Sequence, residues 1–211
     1  MITKSLIKTR NADATKKRIL KAAKKEFANN GLAGARVDII SERAGSNKRM
    51  LYHYFGNKET LFQTILELAY LDIRTAEQNL KLDHLSPTDA LKSLVEFTWN
   101  YYIKNPEFLS LINTENLHKG VHLKKSPAIQ HMSRKYIEMV ENILNRGISA
   151  GEFRKGIDPI QLNITIAAIG YYYLTNRYTG QIIFEKNLLD KDALKERLSF
   201  NIDTILSIVK A

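Results

Sequence analysis

The stretch Val37–Leu61, VDIISERAGSNKRMLYHYFGNKETL, decides how the whole chain is read. Val37, Ile40 and Ala44 recur at i, i+3 and i+7, which gives a first short helix one apolar face. Ala44-Gly45-Ser46-Asn47 breaks that period, with Gly to end one helix and Ser or Asn to start the next. Met50, Leu51, Tyr54 and Phe55 then supply the inward side of a second helix. Asn47, Lys48, Arg49, Tyr52 and His53 are thereby turned outward. A short helix whose free face carries amide, ammonium, guanidinium, phenol and imidazole groups can hydrogen-bond base edges and phosphates in a major groove. Gly56-Asn57 closes it, and Asn57 caps a further helix with Glu59 in its first turn.

Upstream, a helix is expected from about Asp13 to Asn30, with Ile19, Ala23 and Phe27 as its inner stripe. Asn30-Gly31 is its stop signal. Met1–Asn11 is expected to be a basic arm, with Lys4, Lys8 and Arg10 available to follow a DNA backbone. Charge separates the chain into two parts. Through residue 60 there are 14 Lys and Arg against 5 Asp and Glu, which gives +9; the remainder has 18 against 17, which gives +1. A basic module joined to a neutral one implies a polyanionic partner for the first only.

The run GLAGARVDIISERAGSNKRMLYHYFGNKETL, with the helix before it, resembles the DNA-binding domain of TetR-family transcriptional regulators. The specific signal is the Ala-Gly turn followed by Leu51-Tyr52-x-Tyr54-Phe55-x-x-Lys58-Glu59-x-Leu61. Three positions depart from the family pattern: Ser41 replaces the usual Ala, Ser46 the usual Val, and Arg36 a common capping Thr. The resemblance implies double-stranded DNA as partner, with phosphate contacts from Tyr52, Tyr54 and Lys58. Asn47, Lys48 and Arg49, near the start of the recognition helix, are expected to reach bases or nearby phosphates, with His53 and Arg36 as additional contacts.

The remaining residues read as helix throughout. The four prolines stand in Ser86-Pro87, Asn105-Pro106, Ser126-Pro127 and Asp158-Pro159, each a capping residue followed by Pro at the first helical position. Asp190 is a fifth candidate cap, ahead of Leu194, Leu198, Ile202, Ile205 and Val209. A connecting helix from Asn57 to about Leu80 carries Leu61, Ile65, Leu68, Ala69 and Ala76 at helical spacing. No segment alternates at the two-residue period of a strand. The expected fold is all-α with about nine helices. Residues 1–56 form a three-helix helix-turn-helix domain, and residues 57–211 a helical domain for effector binding and dimerisation.

Ile160–Tyr178 is apolar on nearly every side, and such a helix requires either a central position or a partner subunit. Together with the helix near 190–210 it is expected to build a four-helix interface in a two-fold homodimer. Two helix-turn-helix units one DNA turn apart, roughly 34–36 Å, read a palindromic operator. Aromatic residues concentrate in this half, and apolar walls with a few polar tips suit a small-molecule pocket. The candidate lining residues are Trp99, Tyr102, Asn113, His118, Tyr136, Tyr172 and Asn176. The resemblance implies that a bound effector, unidentified here, would lower operator affinity.

The chain has no cysteine, which excludes disulfides, thiol catalysis and Cys-ligated metal. No apolar run approaches the ~18 residues that cross a bilayer, and MITKSLIKTR lacks the apolar stretch of a signal peptide. A cytoplasmic location, no membrane partner and no cofactor are expected. An enzyme is the rival class. Its best cluster is Glu115, His118 and His122, with two His at i, i+4, but Gly120 interrupts the helix and the ligand set is incomplete. No G-x-S-x-G, P-loop or dinucleotide fingerprint occurs. The expectation is therefore no catalytic and no metal site. An architectural DNA-binding protein without effector is the other alternative.

Overall fold

The computed structural model describes the backbone of residues 2–211 and the side chains of residues 12–211 apart from Lys125. The side chains of the expected basic arm, Lys4, Lys8 and Arg10 among them, lie outside the described residues. Among the described residues there are ten α-helices: α1 (Ile2–Gly34), α2 (Val37–Arg43), α3 (Lys48–Phe55), α4 (Lys58–Gln78), α5 (Pro87–Lys104), α6 (Pro106–Leu117), α7 (Pro127–Ser149), α8 (Pro159–Thr175), α9 (Arg177–Ile183) and α10 (Lys191–Val209). Their only β-type pairing is an isolated antiparallel bridge between Phe153 and Lys210. The chain divides into two compact units, one of Met1–Tyr70 with Glu107–Pro127, the other of Leu71–Pro106 with Ala128–Ala211.

Helix boundaries follow the local chemistry. All four Pro-marked starts are helix starts. The Ser86 hydroxyl accepts from Asp89 N, and the Asp158 carboxylate accepts from Ile160 N and Gln161 N, so each satisfies donors that a first turn leaves open. Gly31 sits at φ +64 inside α1, the left-handed conformation that its place after Asn30 predicts. Two details differ from expectation. Asp190 precedes α10 without capping it, because its carboxylate accepts from Asn187 Nδ2 at 2.7 Å instead. The expected single helix over 160–178 breaks at Asn176, where the side-chain amide donates to Tyr172 O and terminates α8. That break creates α9 and accounts for ten helices rather than nine.

In the first unit Ile19, Ala23 and Phe27 of α1 are fully buried, together with Ile40, Leu51, Leu61, Phe62 and Leu66. The Phe27 and Phe62 rings meet edge to face at 5.2 Å. Truncating such a side chain costs roughly 3–5 kcal/mol. Phe62 and Leu66 carry the inner face of α4, whereas Leu68, expected inside, is exposed. The segment Glu107–Pro127 brings a closed polar set to this unit. Glu115 is buried, and its carboxylate accepts from His122 N, Leu123 N and His122 Nδ1, the last at 2.6 Å. His118 Nδ1 contacts Thr114 O at 2.8 Å. Among the described residues no group of three or more His, Cys, Asp or Glu is placed to hold a metal.

In the second unit Leu91, Leu94 and Val95 of α5 pack with Val140, Ile143 and Leu144 of α7, Leu162 and Ile166 of α8, and Ile205 and Val209 of α10. The Phe153 ring fills the space that a Cβ at Gly147 would need, 2.0 Å from it, so only Gly fits there. This unit also encloses charge. Arg74 Nη1 binds Glu77 Oε2 at 2.6 Å, and its guanidinium lies 4.2 Å from the Tyr136 ring centre. Burial pushes the Glu77 carboxyl up to about 7, with Arg74 opposing. Tyr101 Oη donates to Asp72 at 2.7 Å, and burial with that bond drives its phenol well above the ordinary range.

Candidate nucleic-acid interface

The recognition surface is built from α2, α3 and the turn between them. Ala44 N–H bonds Ile40 O, and Gly45 takes φ +56, a left-handed position open to Gly. Asn47 is extended, and its side-chain oxygen accepts from Met50 N at 2.9 Å, which starts α3. Leu51 is fully buried and Met50, Tyr54 and Phe55 half-buried, so the other face of α3 is fixed outward. Asn47, Lys48, Arg49, Tyr52 and His53 are all exposed on it. None of Lys48, Arg49 and Tyr52 is engaged in an ion pair or side-chain hydrogen bond among the described residues. The row carries two cations, a phenol and an imidazole within six residues, a density that suits phosphate and base-edge contact.

The other predicted contacts have partners already. Tyr54 stacks near His53 at 5.4 Å, with Lys16 Nζ 5.4 Å from its ring centre. Lys58 Nζ donates to Ala33 O and Ala35 O, tying the start of α4 to the α1–α2 turn. Arg36 is exposed and bound to Asp38 at 2.8 Å, which raises its pKa and lowers that of Asp38 through the shared hydrogen bond. As the sequence suggests, Arg36 gives α2 no side-chain cap; its own N–H donates to the buried Glu26 carboxylate, which also pairs with Arg43 at 2.8 Å. Sequence reading did not single out a second basic feature. Arg18, Lys21, Lys25 and Arg43 line a concavity of about 560 Å³ on α1 and α2. The signal was the lysine spacing along α1, which is equally that of a solvated face.

Of the seven residues proposed for a ligand pocket, five belong to the second unit and two to the first. Trp99, Tyr102 and Tyr136 are buried in the second unit, where Trp99 meets Tyr173 edge to face at 5.6 Å. Tyr172 and Asn176 line a cavity of about 400 Å³ formed by α8, α9 and α10. Asn113 and His118 belong to the first unit. The cavity also takes in Arg197, which sequence reading missed because a lone Arg beside an apolar stripe looks like ordinary surface.

A helix-turn-helix with an outward basic row, joined to a helical second unit, defines a DNA-binding regulator. Comparison with known proteins agrees. Residues 19–65 match the family model of bacterial regulatory proteins of the tetR family, and residues 87–205 match that of the tetracyclin repressor-like C-terminal domain. The chain is 39% identical over 203 residues to the HTH-type transcriptional repressor NicS of Pseudomonas putida, covering 96% of each chain. It is 37% identical over 111 residues to a transcriptional repressor of Streptomyces coelicolor, covering 53% of this chain and 54% of that one. A TetR family transcription regulator from Marinobacter aquaeolei has the same fold, with a TM-score of 0.71 at 17% identity over 96% of this chain and 98% of that one. The chain belongs to the TetR family of transcriptional regulators, and it is a regulator rather than an enzyme. Among the described residues no helix is long and apolar enough to cross a membrane.

Proposed function

We propose that this protein is a cytoplasmic repressor that binds a palindromic operator as a homodimer and leaves it when a small molecule binds the second domain. The observation that carries the DNA reading is the exposed α3 row, Asn47, Lys48, Arg49, Tyr52 and His53, on a helix capped and buried on its other side. Tyr54, Lys58 and Arg36 flank it and are assigned to the phosphates. Functionally, residues 1–56 read DNA and residues 57–211 bind effector and partner. NicS, at 39% identity over nearly its whole length, is a repressor by name, and that supports repression as the mode here.

The homodimer reading rests on α8. Its Leu162, Ile166, Gly170 and Leu174 point into the core, while Ile160, Ile164 and Ala168, each four residues apart, form an exposed apolar stripe. Phe200 of α10 is exposed as well. An apolar stripe with no charge in it marks an association surface, and a two-fold axis through it pairs like with like. These elements lie within the predicted segments 159–178 and 190–210.

The test is fluorescence anisotropy with duplexes recovered by genomic binding-site mapping. The expected result is two chains per inverted repeat, with an affinity that falls steeply with salt and exceeds that for random duplex by about 1000-fold or more. Equal affinity for both duplexes would sink the operator reading.

A further inference from the structure

The cavity between α8, α9 and α10 has mostly apolar walls, and one of its lining residues is an arginine with no acidic partner among the described residues. Tyr172, Tyr173, Leu188 and Phe184 contribute the walls, with Asn176, Thr179, Arg197 and Lys186 as polar members, the last already paired with Glu196. Its volume of about 400 Å³ falls within the range of small-molecule sites. Tyr173 Oη donates to Leu188 O at 2.9 Å, which holds the segment after α9 against α8. Leu188 is itself buried, and Gly180 passes so close that a Cβ there would meet Leu188 Cδ1 at 2.7 Å. The floor of the cavity is therefore packed, while Tyr172, Ile183 and Phe184 form an exposed rim.

Arg197 is the unusual member. Its Nη2 donates to Ile169 O at 3.3 Å, and its Nε is buried with no hydrogen-bond partner. The guanidinium lies 5.3 Å from the Tyr173 ring centre and 5.2 Å from that of Phe200. Burial pulls its pKa below the ordinary arginine value, and no carboxylate acts to restore it. The neighbouring Glu196 is committed to Lys186 at 2.9 Å, and no acidic group pairs with Arg197 among the described residues. A partly desolvated guanidinium without a counter-charge is costly unless an anion completes it. Its planar fork suits a carboxylate or sulfonate.

We infer that this cavity is a binding site for an apolar organic anion, whose charged group is received by Arg197 and whose body lies against Tyr172, Tyr173 and Phe184. The inference rests on the reading of the chain as a ligand-responsive regulator, for which it names the chemical class of effector.

Two probes that share an arene separate charge from shape: 1-anilinonaphthalene-8-sulfonate, which carries the anion, and N-phenyl-1-naphthylamine, which does not. The full-length chain is expected to bind the sulfonate saturably, one per chain. Arg197→Met should weaken that binding by about tenfold, the worth of one charge-assisted contact, and leave the neutral probe within about twofold, which also reports that the variant is folded. Thr179→Trp, a replacement of an exposed lining residue, should fill the cavity and weaken both probes. Sulfonate binding unchanged in Arg197→Met, or no saturable binding to the wild type because a second copy fills the cavity, overturns the inference. Operator affinity of Arg197→Met without probe is measured in parallel. Its loss in the wild type as well would defeat the regulator reading, and the probe measurement would stand separately.

Discussion

In the unit that carries α3, cations stand outside and apolar side chains close on one another; in the unit that carries α8, apolar side chains stand outside and cations are enclosed. Lys48 and Arg49 face solvent with no ion pair among the described residues, while Arg74 lies against Glu77 and the Tyr136 ring. Ile19, Phe27 and Leu51 are sealed, while Ile160, Ile164 and Tyr172 are more than 50% exposed. Each inversion marks a different kind of partner. Exposed unpaired cations are satisfied by phosphate and are sensitive to salt. An exposed apolar stripe is satisfied only by another apolar surface and is not weakened by salt in the same way.

The comparison breaks most visibly on α8. Ile164→Glu should convert the proposed dimer to a monomer in analytical ultracentrifugation with helical content unchanged. Operator affinity should fall with it by about 100-fold or more, because two linked headpieces gain that much from acting together. A dimer that survives this change would place the interface elsewhere.

The enclosed charge gives the next effect. The Glu77 carboxyl, raised to about 7 in the fold from an ordinary value of 4.5, favours the folded state when protonated. Its contribution is full below about pH 4.5 and is lost as the pH rises through about 7, on the order of 3 kcal/mol at most. Glu77→Gln keeps an acceptor for Arg74 and removes the titration. Denaturant midpoints at pH 5 and pH 8 should therefore fall with pH more in the wild type than in Glu77→Gln. Parallel pH profiles would show that Glu77 stays ionised.

On the headpiece, Arg49→Ala should cost ~1–3 kcal/mol on the operator if the guanidinium reads a guanine. Anisotropy on operator and random duplex separates the roles: equal losses would reduce Arg49 to a phosphate contact. The smallest effect concerns Ser41, which is buried with its hydroxyl unpaired in α2. Ser41→Ala should stabilise the chain by about 1 kcal/mol, since it removes an unsatisfied buried hydroxyl. A lower melting temperature would mean that the hydroxyl has a partner such as water.

The helix-turn-helix was legible because its signals are local. Asn47 caps α3, Asn57 caps α4, and Leu51 is buried, all as spacing and residue type indicate. The proline-marked starts were legible for the same reason. The cavity between α8, α9 and α10 was not. Trp99 and Tyr136 have the same composition signal as Tyr172, yet the first two fill the core and the third lines a cavity. The outcome depends on which neighbouring helix each one meets. Lys58 shows the same limit: the motif does not reveal that its ammonium reaches two backbone carbonyls more than twenty residues away in sequence.

Sequence alone determined most of the helices, the caps at Asn47, Asn57, Ser86 and Asp158, the basic first part and the outward row of α3, because these follow from period, turn chemistry and charge within a few residues. Tertiary structure decided that α8 leaves one apolar stripe open, that Glu77 is enclosed beside Arg74, and that Arg197 lines a cavity without a counter-charge. Those facts depend on which distant segments share a space, and no local pattern carries that information.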